Sequence, residues 1–386
     1  LKPISLKLVF AQCVLADRAT ASQEEAVAMS SKRRAQSSAA GVRGSMAVPP
    51  LSPPWAVEEQ PRPRRGGGEL RSRSIDYRAR SVHYEQRQIR REQAEKFLEH
   101  VESRFSKEIC ETCNKTSFVV WTHGASWQPR AVPMVEHIGK TVPEAAFEYH
   151  SRSAQIAIVN AASAYQVGGG FLTGGRHALE EALCMRSTLY PSLKAASDLA
   201  RSEKLVDSDR RRLHIPEDGV VLSPGVLLLA APAAQHSDTR CRPLNAVVNV
   251  AMPNKNPSVS DSPVDWRRGR EYADLLRKKF GALLDAIEKA NPEVLIVPDV
   301  GCGVFQNDPE EVGRIFGTVL RMKGCEAKEV VCTGSHRFYN AVKAALPKEP
   351  YRSSDFSRPV VHQSQYRDYL QHERAVVVPR PEVSVS

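Results

Sequence analysis

The chain has 386 residues, of which 41% are hydrophobic, 25% charged and 6% aromatic, values that describe a globular protein and exclude collagen, a coiled coil and a wholly disordered chain. That length suits two or three domains of about 100–200 residues, although an α/β domain can run longer. The formal charge is +10, and Leu1–Arg91 holds 17 Lys and Arg against 8 Asp and Glu, which gives this segment +9 and leaves +1 for the rest. Attraction to nucleic acid or another polyanion is therefore expected of an N-terminal tail, and only weakly, rather than of a folded groove.

In chain order, residues 1–82 read as a disordered basic extension. From Ser30 to Ser74 the composition is dominated by Ser, Pro, Gly and Arg, with too little apolar surface to offset the entropy of ordering. The first residue is Leu1 and the earliest methionines are Met29 and Met46, so a targeting segment, a disordered extension and a translated leader stay open for this stretch. The compartment is not fixed by the sequence, with cytoplasm or nucleus the expectation. Order is expected from His83, where a charged helix carries Ile89, Ala94, Phe97, Leu98 and Val101 on one face.

Short β-branched runs then alternate with helical periods. Strands are expected at Phe118–Trp121, Ala154–Val159, Ala246–Val250, Val294–Val297 and Val330–Cys332, each suited to a sheet covered on both faces. Helices are expected at Ala178–Tyr190, ended by Pro191, and at Trp266–Ala290, Pro309–Met322 and His336–Leu346. Pro309 followed by Glu310 and Glu311 marks a helix start, because proline loses no needed N–H there and the carboxylates complement the positive end. The alternation argues for an α/β layer fold with helices on both faces. After Lys348 the polar, Arg-rich residues 348–386 read as a weakly ordered tail. The longest apolar run, Val220–Ala234, is broken by Ser223, Pro224, Gly225 and Pro232, so no membrane span is expected.

Eight cysteines in so long a chain do not make a disulfide scaffold. Cys110 and Cys113 form one CxxC, but no second ligand pair follows at zinc spacing, and no metal or cofactor is expected.

Ligands in open α/β sheets bind beyond the carboxyl ends of strands, which directs attention to two places. The first strand candidate runs through Val159 into Asn160 and then a loop with Gly168, Gly169 and Gly170, followed by Gly174 and Gly175 before a helix. Successive glycines let a backbone approach a bulky ligand closely, and their N–H groups near a helix start can cradle a diphosphate. The second place follows Val294–Val297, where Gly301, Cys302, Gly303, Val304 and Phe305 again open a helix. Neither loop has the spacing of a dinucleotide fingerprint or a P-loop. Glu180 and Glu181 stand in the helix after the first loop; adjacent helical positions point about 100° apart, so one carboxylate is expected to aim into the cleft. A solvated helix start is the bland alternative.

These residues resemble the microbial-type poly(ADP-ribose) glycohydrolases. The family's triple glycine, short spacer and Gln-Glu-Glu appear here as Gly168-Gly169-Gly170, eight residues, and Leu179-Glu180-Glu181. IVNAASAYQVGGGFL, LSPGV, VNVAMPNKNP and GCGVFQNDPEEV extend the likeness in order, over roughly His83 to Pro347. The resemblance implies a macrodomain-like three-layer sandwich, with a mixed, mostly parallel sheet flanked by helices and an N-terminal helical extension, and a catalytic domain at residues 83–347. It implies hydrolysis of the ribose–ribose O-glycosidic bond of poly(ADP-ribose), releasing ADP-ribose without a metal. By position, Glu181 would be the acid and then the base, and Glu180 would orient the neighbouring ribose. Asn160 would hold the terminal ribose, Gly168, Gly169 and Gly170 the ribose and diphosphate, and Gly301, Gly303 and Val304 the diphosphate from the other side, with Phe305 packed beside the terminal ribose. The partners would be poly(ADP-ribose) or ADP-ribosylated macromolecules. Leu179 stands where the family has Gln, and Asp299-Val300 where it often has Trp. The first departure keeps two alternatives open, a catalytically weak ADP-ribose-binding module and a hydrolase of mono-ADP-ribose.

Overall fold

The computed structural model describes residues 72–121, 132–152, 155–175, 178–230, 240–260 and 262–346. The basic extension up to residue 71 and the tail after residue 346 lie outside the described residues.

A long helix α1 (Ser72–Arg104) opens the described chain, so helix begins eleven residues before the expected start at His83. It is followed by α2 (Ser106–Lys115), with backbone hydrogen bonds from Phe105 to Val101 and from Ile109 to Phe105 carrying the turn across the junction. Ala94, Phe97 and Val101 are buried at helical spacing, as expected, Leu98 is partly buried against the same cluster and Phe105 joins them just past the helix, whereas Ile89 is 46% exposed and stands off the packed stripe.

The main sheet has seven strands in the order β1-β4-β7-β3-β8-β9-β2. These are β1 (Ser117–Val120), β2 (Met134–His137), β3 (Ile156–Ala161), β4 (Gly219–Pro224), β7 (Ala246–Val250), β8 (Val294–Val297) and β9 (Glu329–Cys332). From β7 to β2 all neighbours are parallel, while β4 is antiparallel to β7 and β1 to β4. A small antiparallel pair, β5 (Leu227–Leu229) and β6 (Cys241–Pro243), stands apart. The expected strands are all present within two residues, and β2, β4, β5 and β6 are additional.

Helices cover both faces. On one side α6 (Gly269–Ala290), α7 (Pro309–Lys323) and α8 (His336–Ala345) bury Leu276, Phe280, Phe316 and Phe338 against Ala157, Val159, Val248 and Leu295. On the other, α1, α3 (Val142–Ser151), α4 (Leu179–Cys184) and α5 (Leu189–Ser202) pack Phe97, Ala145, Leu183 and Leu193 against Ile156, Ile158 and Val247. Alternate residues of β3 thus serve two apolar layers, which is why its sequence is a continuous run of Ile, Ala and Val rather than an apolar–polar alternation. The three-layer α/β architecture is as expected.

Several helix boundaries differ: the helix expected from Trp266 begins at Gly269, and the ends expected at Met322 and Leu346 fall at Lys323 and Ala345. The single helix expected over Ala178–Tyr190 is two, and Pro191 does not end the first but lies in the opening turn of the second, α5, whose N-cap is Thr188. A proline in a first turn loses no hydrogen bond, so the residue marks a start. The helix α7 begins at Pro309 as read, with the Asp308 carboxylate accepting from the Glu310 N–H at 2.9 Å. Among the described residues no helix is long and apolar enough to cross a membrane.

Candidate active site

The parallel strands β7, β3 and β8 are neighbours, so the segments leaving their carboxyl ends meet at one edge of the sheet. From β3 the chain enters the loop of residues 162–175, and from β8 the loop of residues 298–308. The segment after β7, residues 251–268, touches both. Lys255 donates its backbone N–H to Phe305 at 2.8 Å, and the hydroxyls of Ser163 and Ser262 lie 3.4 Å apart.

Both expected carboxylates face the first loop. Glu180 Oε2 accepts the backbone N–H of Ser163 at 2.8 Å, and Glu181 Oε1 accepts that of Gly170 at 2.6 Å. The two side chains are nearly buried, at 3% and 9% exposure, so a solvated helix start is ruled out. Although adjacent helical residues diverge by about 100°, the loop curls across the start of α4 and meets both. The convergence point is Gly169: a Cβ there would sit 2.6 Å from Glu181 Oε1 and 3.2 Å from Glu180 Oε2.

The glycines of this loop have individual reasons, and most are internal. Gly168 lies against the ring of Tyr190, where a Cβ would come within 2.7 Å, and Gly170 lies against the Cα of Gly175, at 2.6 Å. Gly174, with φ +68°, passes so close to α1 that a Cβ would be 1.9 Å from the Arg87 carbonyl oxygen. The Gly169 N–H is bonded to the Gln166 carbonyl and the Gly170 N–H to Glu181. Gly168–Gly170 are expected to hold the ribose and diphosphate; the N–H donors of Gly169 and Gly170 are engaged within the protein. The loop acts as a mould for the two carboxylates. It is braced from outside by α1, where Arg87 Nε donates to the Thr173 carbonyl and Arg90 donates through Nε and Nη2 to that of Gly174.

Asn160, expected to hold the terminal ribose, stands near the carboxyl end of β3. It is fully buried, and its Nδ2 donates to Asn249 Oδ1 across β3 and β7 at 3.0 Å. Asn249 Nδ2 in turn reaches the Val221 carbonyl and Ser223 Oγ, which accepts from the Ser192 hydroxyl. Asn160 thus belongs to a buried polar chain through the sheet, with no surface turned outward.

The second loop is the open one. Gly301 adopts φ +74° and is locked below by Asn307, whose Nδ2 donates to the carbonyls of Gly301 and Pro253 while its Oδ1 accepts from Tyr272. The crest differs: nothing lies within 4 Å of a Cβ built at Gly303, Val304 is 48% exposed, and Phe305 packs its partly buried ring on the core beneath. Among the described residues no acceptor takes the N–H of Gly303 or Val304. Exposed turns of backbone donors suit anions in general, and this turn is the more open of the two loops. The departure at Asp299 is structural: its carboxylate accepts the Ser335 N–H at 3.2 Å, and burial pushes its pKa above the ordinary carboxylate range.

Sequence reasoning missed Ser163, which holds Glu180 through its N–H and caps the N–H groups of Tyr165 and Gln166 through Oγ. Its place directly after a strand was the available signal, as serine hydroxyls commonly close such turns. Arg87 and Arg90 gave none, since their partners lie more than eighty residues away. His214, buried against the same loop with its backbone N–H on the Ala164 carbonyl, has its pKa lowered by burial from 6.5 to about 4 and is uncharged at neutral pH. Among the described residues no group of three or more His, Cys, Asp and Glu side chains is arranged to hold a metal.

Fold and site together define a macrodomain-like α/β domain with a carboxylate pair beneath one glycine loop and an open backbone turn on the other. Residues 83–230 match the family model of the microbial-type PARG catalytic domain, the resemblance read in the sequence. Two crystal structures of poly(ADP-ribose) glycohydrolase from Thermomonospora curvata share the fold. The one bound to the inhibitor ADP-HPD is 24% identical, with a TM-score of 0.52, and covers 67% of this chain and 99% of its own. The other is 23% identical with the same TM-score, covering 67% of this chain and 100% of its own. No curated protein matches the chain.

Proposed function

We propose that this protein hydrolyses the ribose–ribose O-glycosidic bond of poly(ADP-ribose) and releases ADP-ribose. The observation that carries the reading is the convergence of Glu180 and Glu181 on the backbone of residues 163–170, in a segment that matches a glycohydrolase family and beside an exposed backbone turn at Gly303–Val304. The turn supplies donors for the pyrophosphate, and Phe305 a partly buried ring beside the terminal ribose.

In the first step Glu181 gives its proton to the oxygen of the leaving ribose as the bond from that oxygen to the anomeric carbon breaks. The electron pair stays with the oxygen, and positive charge develops on the ring being released. In the second, water adds to the anomeric carbon and returns a proton to the Glu181 carboxylate, so that one group serves as acid and then as base. The Gly170 N–H fixes the orientation of that carboxylate, and Glu180, held by Ser163, lies beside it to orient the neighbouring ribose.

Glu181→Gln keeps an oxygen for the Gly170 N–H and removes the exchangeable carboxyl proton. The expected result is an ADP-ribose affinity within about tenfold of wild type, with release of ADP-ribose from labelled polymer slowed at least ~10²-fold. Equal turnover in the variant removes Glu181 from the chemistry. A wild-type protein that binds ADP-ribose and releases none from polymer is a binding module instead, the alternative that Leu179 raises.

A further inference from the structure

Trp266 is the most exposed large hydrophobic side chain among the described residues, at 72%, yet the backbone on either side of it is tightly held. Lys255 Nζ donates to the carbonyl of Asp265 at 2.9 Å and to that of Arg267 at 2.6 Å, clamping the residues before and after the tryptophan. Asp265 N–H donates to the Asn254 carbonyl at 2.7 Å, and Arg267 is ion-paired to both Asp265 and Glu217. An indole in water gains nothing for the fold, and a clamp that holds its backbone still gives it a defined position on the surface.

Arginines stand beside it, with Arg267 paired to Asp265 and Glu217 and Arg270 3.7 Å from Asp274. Arg267, Arg268 and Arg270 follow it directly, the last two exposed, where the positive end of the 22-residue helix α6 begins. The same segment reaches the candidate active site, since Ser262, four residues before Trp266, meets Ser163, whose N–H anchors Glu180. Four residues of extended chain span at most about 14 Å. Lys255, which clamps the residues on either side of Trp266, also gives its backbone N–H to Phe305, so the segment that carries the exposed indole is tied to both loops and stands outside the buried carboxylates.

We infer that Trp266, with Arg268 and Arg270, is a subsite for the ADP-ribose unit adjoining the one that is cleaved, its indole stacking on that unit's adenine and the guanidiniums facing its pyrophosphate. The inference rests on the reading of the site as one for poly(ADP-ribose). A base presents an apolar face and the adjoining pyrophosphate two negative charges, and an exposed ring beside arginines matches both. The subsite serves substrates longer than one unit and adds nothing for free ADP-ribose.

The test measures, on the full chain, the affinity for free ADP-ribose and the KM and kcat for long polymer in wild type, Trp266→Ala and Trp266→Phe. The expected result for Trp266→Ala is a polymer KM raised about tenfold, within the range of one lost stacking contact, with kcat and ADP-ribose affinity within twofold. Trp266→Phe, which keeps a stacking face, recovers most of the loss. An unchanged polymer KM in Trp266→Ala overturns the subsite while leaving the site reading intact. Equal weakening of ADP-ribose and polymer also overturns it, by assigning the indole to the terminal unit's pocket. A wild-type protein with no affinity for ADP-ribose removes the site reading and the subsite with it.

Discussion

Gly169→Ala is the sharpest probe of how this site is held, because its two consequences follow from separate features of one residue. Gly169 has φ +55°, a conformation that costs an L-residue roughly 1–2 kcal/mol. At about 2–4 °C per kcal/mol for a domain of this size, the midpoint of thermal unfolding is expected to fall by about 2–8 °C. The added methyl would also lie 2.6 Å from Glu181 Oε1 and 3.2 Å from Glu180 Oε2, with ordinary contact beginning at 3.4 Å. The carboxylates are the flexible ends of side chains and yield before the backbone does, so Glu181 moves by the better part of an ångström and its 2.6 Å bond to the Gly170 N–H lengthens or breaks. A displacement of about 1 Å at a reacting group can cost ~10²-fold in rate, the loss expected here. Release of ADP-ribose from labelled polymer, followed well below the unfolding midpoint, separates this from simple unfolding. Gly139→Ala, where nothing lies within 4 Å of the new methyl, is the matched control and should change neither quantity. Wild-type turnover in Gly169→Ala would refute the claim that the loop backbone sets the carboxylates.

Two further outcomes are expected. Arg90→Ala removes both hydrogen bonds to the Gly174 carbonyl and frees the outer turn of the loop; for a half-buried charged donor the expected cost is about 1 kcal/mol, with a severalfold loss of kcat that Arg90→Lys only partly restores. Calorimetry and turnover on the same preparations check it, and an unchanged kcat would show that the brace does not reach the carboxylates. His214 has a native pKa of about 4 against an ordinary 6.5, so below pH 6.5 the unfolded chain takes up a proton that the native protein refuses. Stability is expected to fall by about 3 kcal/mol as the pH drops from 6.5 to 4, and denaturant titrations of His214→Gln should show a shallower acid slope, an identical slope being the contrary result.

The sequence made legible whatever was local and periodic. The runs Ala246–Val250 and Val294–Val297 match strand boundaries because both faces of the sheet are covered, so the apolar run and the strand coincide. β2 and β4 were missed for the opposite reasons: Met134–His137 is short and half exposed at the sheet edge, and Gly219–Pro224 ends on residues that normally break strands. The pair Glu180–Glu181 was legible as chemistry, but its geometry was not, since helical angles alone predict divergence and only the curl of a loop seventeen and eleven residues away brings both to backbone donors. Pro191 reads either way because the same residue ends one helix and begins another with equal ease, and the bond made by Asn160 was not legible because a side chain at a strand end can turn outward or cross to its neighbour. Its neighbour is Asn249, in direct register on β7.

The departure at Leu179 bears on whether the carboxylates keep their positions. Helix α4 has only six residues, too few to be stable on its own hydrogen bonds, so its orientation comes from packing. Leu179 and Leu183 stand four apart on one face and join the same apolar cluster, Leu183 being 1% exposed, with Cys184 buried beside them. Glu180 and Glu181 lie off that face, and each takes its observed bond from a backbone N–H, of Ser163 and Gly170, to which the side chain at position 179 contributes nothing. An amide at 179 would be one more polar group to satisfy in a half-buried place, whereas leucine ties the helix to the core at the turn that carries the pair. The Leu179 side chain therefore anchors the helix, and the bonds that Glu180 and Glu181 accept from Ser163 and Gly170 do not involve it.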